Sequence, residues 1–212
     1  MSKKVYVVGS SKGYARWINN YVLTDDVNEA DIALFTGGED INPSIYGREM
    51  DGTYGFNDHR DKFEIAEYQK IIDAKVPIVF GTCRGFQLLS ALNGAILIQD
   101  TTNHWIGHTH PMSNGNEIYE ITSLHHQMVY PWTMPKDKYQ ILFWSSPARS
   151  RYYRGITDEE SYKMEREVEL MTIKPNEHTT IIGIQGHPEM MPQSSPTVIM
   201  LNELLNKYLS ND

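Results

Sequence analysis

The sequence contains a single cysteine among its 212 residues, which limits the chemistry that the chain can support. One thiol cannot form an internal disulfide, and it cannot supply the several thiolates of a cysteine-rich zinc site. Long apolar runs are also missing, because a run such as residues 76–80 is far shorter than the ~20 residues of a membrane helix. Residues 1–4 lead directly into a strand-like run, without the apolar segment of a signal peptide. We therefore expect a cytoplasmic protein that makes no contact with membranes.

Basic residues are outnumbered, with 19 Lys and Arg against 27 Asp and Glu and a formal net charge of −8. This balance argues against a nucleic-acid-binding protein, which would neutralise phosphates with basic side chains. Apolar residues make up 40% of the chain and charged residues 22%, which is typical of a globular protein and too hydrophobic for disorder. The chain has no internal repeat, and its length predicts one domain over residues 1–212.

Short β-rich runs alternate along the chain with amphipathic, helix-like stretches. The predicted strands are residues 4–8, 31–35, 76–80, 95–99, 140–144, 168–173 and 180–185. The predicted helices are residues 60–74, 85–91 and 197–209, with Asp58 as the N-cap of the first. This alternation predicts an α/β fold with a mainly parallel, open, flavodoxin-like sheet flanked by helices.

Residues 145–167 depart from this alternation, because they carry charges of both signs interleaved with three tyrosines. We expect an inserted loop or lid, solvated and carrying a short surface helix. A docking surface for a partner is the alternative, since long loops often carry function. Acidic residues match the basic ones here, which argues against contact with nucleic acid.

The most informative motif is Gly-Thr-Cys-Arg-Gly at residues 81–85, between a buried-type strand and a helix. This pattern is typical of a nucleophile elbow, a sharp turn that presents a side chain above the sheet. The start of a helix favours an anionic group, and the thiolate is the nucleophilic form of Cys83. A small buried hydrophobe is the alternative role of a lone cysteine.

A base for Cys83 is predicted from Gln-Gly-His-Pro-Glu at residues 185–189, at the end of the strand 180–185. Sites of open α/β sheets assemble outside the carboxyl ends of the strands, so His187 and Cys83 are expected at one edge. Glu189 can hold the imidazole in one tautomer. Gly37 and Gly38 follow the strand 31–35, where their N–H groups, together with that of Arg84, would form an oxyanion hole.

His104, His108 and His110 have spacings that zinc ligands adopt on a helix. The neighbouring Trp105 and Pro111, together with a glycine, favour a loop bordering the active site instead. No metal and no cofactor are therefore expected.

Taken together and in this order, the motifs resemble the class I glutamine amidotransferase family, in its γ-glutamyl hydrolase-like branch (peptidase C26). The segments that carry the resemblance are residues 36–43, 60–64, 81–89, 123–127 and 185–189. A second family with a cysteine elbow, that of the intracellular proteases, places a histidine directly after the cysteine. Arg84 occupies that position here, which disfavours the second family.

The resemblance implies a role for each matching residue. Cys83 would be the nucleophile, His187 the general base and then acid, Glu189 its orienting partner, and Gly38 and Arg84 the oxyanion donors. The expected substrate-binding residues are Gly37, Gln87, Ser123, Leu124 and His125. The implied reaction is cleavage of a γ-glutamyl amide, either glutamine or a γ-glutamyl amine, through a cysteinyl thioester.

The resemblance leaves the partners of the chain open. A small γ-glutamyl substrate is expected, and a separate synthetase could receive the ammonia because no ATP-binding motif appears. A homodimer and an inactive regulatory relative are further alternatives. Residues 145–167 replace the short turn that is usual in the branch, so the leaving amine is not predicted.

Overall fold

The computed structural model describes residues 2–9 and 11–210. Met1, which belongs to the N-terminal run interpreted above, lies outside the described residues. The α-helices are α1 (Asp58–Asp73), α2 (Arg84–Leu92), α3 (Asp158–Lys163) and α4 (Pro196–Leu209). The strands are β1 (Lys3–Val8), β2 (Tyr21–Leu23), β3 (Ile32–Phe35), β4 (Ile78–Thr82), β5 (Ile96–Ile98), β6 (Asp100–Thr101), β7 (Trp105–Ser113), β8 (Ile118–Leu124), β9 (Met128–Tyr130), β10 (Tyr139–Ser145), β11 (Tyr153–Arg154), β12 (Val168–Ile173) and β13 (Thr180–Ile184).

Nine strands form one mixed sheet in the order β2-β1-β3-β4-β13-β12-β10-β7-β8. The first five pair in parallel, and the remaining four continue the sheet by antiparallel pairing. The predicted α/β class with flanking helices is confirmed. The parallel half carries β3, β4 and β13 side by side, so their carboxyl ends meet at one edge.

The antiparallel half contains β7 and β8, which the sequence did not predict. The expected loop around His104–His110 is wrong, because β7 pairs with β8 through most of its length and with β10 at its end. These pairings supply ladder hydrogen bonds to β7 despite Pro111, and the register shifts between Trp105 and Thr109, around Gly107. Residues 95–99 do contain a strand, β5, but it pairs with β9 in a separate ladder.

Two apolar clusters cover the two faces of the sheet. Strands β3, β4 and β13 are buried along their whole length, as expected for parallel strands covered on both sides. One cluster joins Phe35 and Val79 to the apolar side of α2, and the other joins Ile78 and Phe80 to α4. The sheet is thereby held rigid beneath the edge at which β3, β4 and β13 end.

Helix α1 buries acidic side chains where the sequence predicted an apolar face. Its buried residues are Asp61, Glu64, Glu67 and Ile71, whereas Phe63 is 54% exposed. Its N-cap is Asn57, whose side chain accepts hydrogen bonds from the N–H groups of the next turn. The prediction of Asp58 as N-cap is wrong by one residue, because the amide oxygen of Asn57 reaches those donors first.

Residues 145–167 carry the expected short helix, α3, which begins with a capping box between Thr157 and Glu160. The short strand β11 pairs with β6, and Arg48 forms an ion pair with Glu160. These contacts attach the segment to the body of the protein on the side of β6. Within residues 2–9 and 11–210, no helix has the length and apolar character to cross a membrane.

Candidate active site

Cys83 lies between the end of β4 and the start of α2, in a strained backbone conformation. Its φ of 49° and ψ of −111° are sparsely populated for a residue with a side chain. The flanking glycines permit the turn, since a Cβ on Gly81 would lie 2.6 Å from the nitrogen of Phe86, and one on Gly85 2.4 Å from the oxygen of Phe35. The turn therefore has the geometry of a nucleophile elbow.

His187 lies just beyond the end of β13, the strand that pairs with β4. Its Nδ1 is 2.7 Å from Oε1 of Glu189, and both side chains are more than nine-tenths buried. Burial acts to lower the pKa of His187. The hydrogen bonds and negative charges of Cys83 and Glu189 outweigh burial and raise this pKa to about 10. The arrangement favours the protonated form of His187 between Cys83 and Glu189.

The raised pKa of His187 is testable by replacing its anionic partner. In Cys83→Ala, the hydrogen bond and charge that favour the imidazolium are lost, so the pKa of His187 should fall from about 10. An NMR titration of the imidazole ring measures this change. Ser90→Ala in α2 serves as the control and should leave the titration of His187 unaltered. An unchanged titration in Cys83→Ala would exclude the ion pair.

Gly37 and Gly38 follow β3 and lie against the elbow. A Cβ on Gly37 would lie 2.9 Å from Cε1 of His187 and 3.5 Å from Cβ of Cys83, so only glycine permits this approach. Arg60 donates a 2.9 Å hydrogen bond to the carbonyl of Gly37. In a trans peptide the C=O of Gly37 and the N–H of Gly38 point in opposite directions. Because Arg60 binds this carbonyl, the N–H of Gly38 points away from Arg60.

Arg84 extends its side chain from the start of α2 into a fully buried ionic network with α1. Its guanidinium lies 2.5 Å from Oδ1 of Asp61 and also pairs with Glu64. Glu64 pairs in turn with Arg60, at 2.8 Å. The network explains the acidic face of α1, and it joins the elbow to the glycine turn after β3.

Two further residues at this edge were not predicted from the sequence. Tyr14 lies beside His187, with 6.4 Å between the ring centroids. Arg16 donates a hydrogen bond to the backbone carbonyl of Glu189. Both belong to a 3-10 helix over Lys12–Trp17, which no strand-end or glycine motif marks, so the sequence held no signal for them.

The residues expected to bind substrate lie next to α2, but their side chains are already engaged. Gln87 Nε2 donates to the carbonyl of Gln127 at 3.2 Å. Ser123 Oγ donates to the carbonyl of His104 at 2.6 Å, and His125 Nδ1 lies 2.9 Å from that of Gln127. Leu124 is half-buried. A ligand at residues 123–125 would therefore meet mainly backbone atoms.

An open cavity of about 580 Å³ begins at Gly38. Its walls combine aromatic and charged side chains, namely Glu39, Asp40, Tyr54, Trp105 and His126. His126 lies between two carboxylates, 2.9 Å from Asp40 and 3.3 Å from Asp100. The cavity adjoins the glycine turn after β3 at Gly38 and has room for a group larger than ammonia.

Sequence comparisons give one family and several relatives. The peptidase C26 family matches residues 17–129, which include Cys83 and end before His187. A protein of Lactococcus lactis named as glutamine amidotransferase-like, YvdE, is 35% identical over 134 residues, or 53% of this chain. That alignment spans 54% of YvdE, so the chain matches about half of its length. Protein NtpR of Enterococcus hirae is 26% identical over 176 residues, covering 81% of this chain and 72% of NtpR.

Solved structures resemble the whole chain at low sequence identity. A Thermoplasma acidophilum protein described as a GMP synthase component superposes with a TM-score of 0.61 and 16% identity, covering 99% of this chain and 95% of that one. A glutamine amidotransferase of Thermotoga maritima gives 0.55 and 13%, with the same coverage. At these identities the similarity establishes the flavodoxin-like fold of class I glutamine amidotransferases.

Proposed function

The chain belongs to the peptidase C26 family, and from this premise we propose that it hydrolyses γ-glutamyl amides through a cysteinyl thioester. The observation that carries the proposal is the line of three groups formed by Cys83, His187 and Glu189, with 2.7 Å between His187 Nδ1 and Glu189 Oε1. A nucleophile, a base in contact with it and an orienting carboxylate are the parts that acyl transfer requires.

The first half-reaction forms the thioester. Sγ of Cys83 attacks the γ-carbonyl carbon of the substrate, and the N–H groups of Gly38 and Arg84 stabilise the oxyanion. The carbon–nitrogen bond then breaks while His187 gives its proton to the leaving nitrogen. Ammonia or an amine departs, and the γ-glutamyl group remains on sulfur.

The second half-reaction releases glutamate. His187, now neutral, accepts a proton from water, and the resulting hydroxide attacks the thioester carbon. The carbon–sulfur bond breaks and the thiolate of Cys83 returns beside the imidazolium. Glu189 holds the same imidazole tautomer through both steps, since its carboxylate stays on Nδ1.

The cavity beside Gly38 is the proposed site of the leaving amine. Trp105 and Tyr54 line it and are 70% and 72% exposed, so they are free to contact a ligand. Arg60 already pairs with Glu39. Asp40, His126 and Asp100 together keep a net negative charge. This lining favours an amine that has an apolar or cationic part.

The isolated protein is expected to release glutamate from γ-glutamyl amides, and more efficiently from γ-glutamyl amines than from glutamine. Trp105→Ala should raise KM for a γ-glutamyl amine with a large apolar amine about tenfold, which corresponds to about 1.4 kcal/mol of binding energy. It should leave KM for glutamine nearly unchanged, because ammonia does not reach Trp105. A coupled assay of glutamate measures both constants.

Two outcomes would contradict the proposal in different ways. If no γ-glutamyl compound is cleaved until a synthetase is added, the chain supplies ammonia to that enzyme instead. If neither condition gives turnover and a glutamine-like electrophile fails to label Cys83, the chain is an inactive relative. If Trp105→Ala changes KM equally for both substrates, the leaving amine does not bind in this cavity.

A further inference from the structure

A second group of ionisable side chains lies buried behind residues 123–127. It contains His104, which precedes β7; His110 in β7; His125, which follows β8; and Glu169 in β12. One nitrogen or oxygen atom from each side chain lies within 4.8 Å of the corresponding atoms of the others. None of the four residues is more than 3% exposed. His108, on the same strand as His110, is exposed and lies outside the group.

Each imidazole in this group has one nitrogen engaged with an oxygen outside it. Nε2 of His104 lies 3.2 Å from Oε2 of Glu167, and Nδ1 of His110 lies 3.1 Å from the carbonyl of Pro111. Nδ1 of His125 lies 2.9 Å from the carbonyl of Gln127. Carbonyl and carboxylate oxygens only accept hydrogen bonds, so these nitrogens carry the protons. In a neutral ring, the other nitrogen therefore directs its lone pair into the group.

Glu169 adds a carboxylate to these three lone pairs. Its two oxygens are buried and accept no hydrogen bond from any described residue. Oε1 lies 3.3 Å from Nε2 of His110 and 3.7 Å from Nδ1 of His104, and these histidines are its only ion-pair partners in the described chain. When the three imidazoles are neutral, the group holds four acceptors that face one another without a donor, which is unfavourable in a dry interior. A cation between them would satisfy all four.

We propose that His104 Nδ1, His110 Nε2, His125 Nε2 and Glu169 bind a zinc ion. Imidazole and carboxylate are ligands that zinc takes in tetrahedral sites, and a site closed by four protein ligands is structural. Neighbouring ligand atoms in such a site are about 3.3 Å apart, because each bond is about 2.0–2.1 Å long. One pair, His110 Nε2 and Glu169 Oε1, is already 3.3 Å apart, and the most widely separated atoms, within 4.8 Å of one another, would need to approach by up to about 1.5 Å. The sequence-based expectation of no metal is replaced by this proposal.

The outer hydrogen bonds of the three histidines match the arrangement that metal-binding histidines require. A ligating imidazole usually donates its second N–H to a carboxylate or a backbone carbonyl, which fixes the ring. Here Glu167, Pro111 and Gln127 supply one such acceptor each. These outer hydrogen bonds support the zinc site independently of the short distances among the four proposed ligand atoms.

The ion would connect parts of the chain that lie far apart in sequence. Glu167 also accepts hydrogen bonds from the backbone of Arg149, at 2.7 Å, and from the hydroxyl of Tyr153, at 2.9 Å. The carbonyl of Gln127 accepts from Gln87 in α2, one turn after Cys83. Bound zinc would therefore stabilise residues 123–127 and the segment 145–167 together.

The proposal is tested by the metal content of protein purified without a histidine tag. We expect about one zinc ion per chain by elemental analysis, and a lower melting temperature after removal by a chelator. Cobalt should replace zinc and give the visible absorption of a tetrahedral Co²⁺ site. His110→Ala and Glu169→Gln should lose the ion, whereas His108→Ala should keep it as a matched control from the same strand.

Several results would overturn the zinc site. The first is a failure of the chelated protein to bind zinc with a dissociation constant of about 1 µM or lower, which corresponds to a binding free energy of about 8 kcal/mol, together with a melting temperature that added zinc does not raise. That result would leave His110 and Glu169 as an ion pair. Equal loss of zinc in His108→Ala and His110→Ala would indicate binding at the surface. Preference for another divalent metal would overturn the choice of zinc. Because the wild-type chain carries the first test, misfolding of a variant does not affect it.

Discussion

Cys83→Ala is expected to lower kcat for γ-glutamyl amide hydrolysis by roughly 10⁴-fold or more, because no thioester can form without the sulfur. His187→Ala should have an effect of similar size, since Cys83 then loses the group that hydrogen-bonds to it and protonates the leaving nitrogen. Combining the two substitutions should cost little beyond either alone, because the residues act as a unit. Steady-state kinetics of the three variants measure these effects.

Covalent labelling separates a chemical defect at Cys83 from loss of folding. A glutamine-like electrophile should add to Cys83 in the wild-type chain, with the modified peptide identified by mass spectrometry, and should not add to Cys83→Ser. The variants should keep the melting temperature of the wild type, and Ser90→Ala in α2 should keep its activity. Hydrolysis that survives in Cys83→Ala, or labelling at another residue, would move the active site elsewhere.

Arg84→Ala is expected to destabilise the fold by about 3–5 kcal/mol, the usual cost of removing one partner from a buried ion pair. Asp61 and Glu64 are 2% and 0% exposed, so water cannot replace the guanidinium. Glu64 keeps Arg60 as a partner, whereas Asp61 loses its arginine and keeps a hydrogen bond from the backbone of Asn42. Urea denaturation monitored by circular dichroism gives the free energy of unfolding.

A neutral network should restore part of that stability. In the triple variant Arg84→Met, Asp61→Asn, Glu64→Gln, no charged group is buried without a partner, so its free energy of unfolding should exceed that of Arg84→Ala. Lys12→Ala, which breaks an ion pair exposed to solvent, is the control and should change stability little. If Arg84→Ala unfolds like Lys12→Ala, the buried network does not support the fold.

The parallel half of the sheet and the residues at its edge follow a pattern that sequence displays directly. Strands β3, β4 and β13 are continuous apolar runs, and each ends in a glycine, cysteine or histidine motif. Because parallel strands place their carboxyl ends together, Gly37, Cys83 and His187 could be assigned to one edge before their coordinates were known. Local sequence and a single topological rule were sufficient there.

The antiparallel half and the proposed zinc ligands could not be predicted in this way. Strand β7 does not alternate cleanly between buried and exposed residues, and it contains Gly107 and Pro111. Its pairing with β8 and β10 is decided by tertiary structure, which periodicity does not record. His104 and His110 come from β7 and the residue before it, whereas His125 follows β8 and Glu169 lies in β12. The short spacing of three histidines therefore indicated the wrong set, with His108 in place of His125.

The same limit applies to α1, whose face was assigned by hydrophobicity. Asp61 and Glu64 have the polarity of surface residues, and only the guanidinium of Arg84, about twenty positions later, makes their burial favourable. Phe63 is exposed for the complementary reason, because the helix rotates to bring its carboxylates inward. Charge pairing between distant elements therefore overrode the local apolar pattern.

Glu64 receives both Arg84, from the nucleophile turn, and Arg60, which holds the carbonyl of Gly37. The two proposed oxyanion donors are thus linked through one carboxylate, although they lie 46 positions apart, at 38 and 84. Docking of α1 is therefore expected to be a condition for the proposed catalysis, since a helix that detaches would release both arginines at once. Local unfolding of α1 would then be expected to disable the proposed oxyanion hole at both of its donors together.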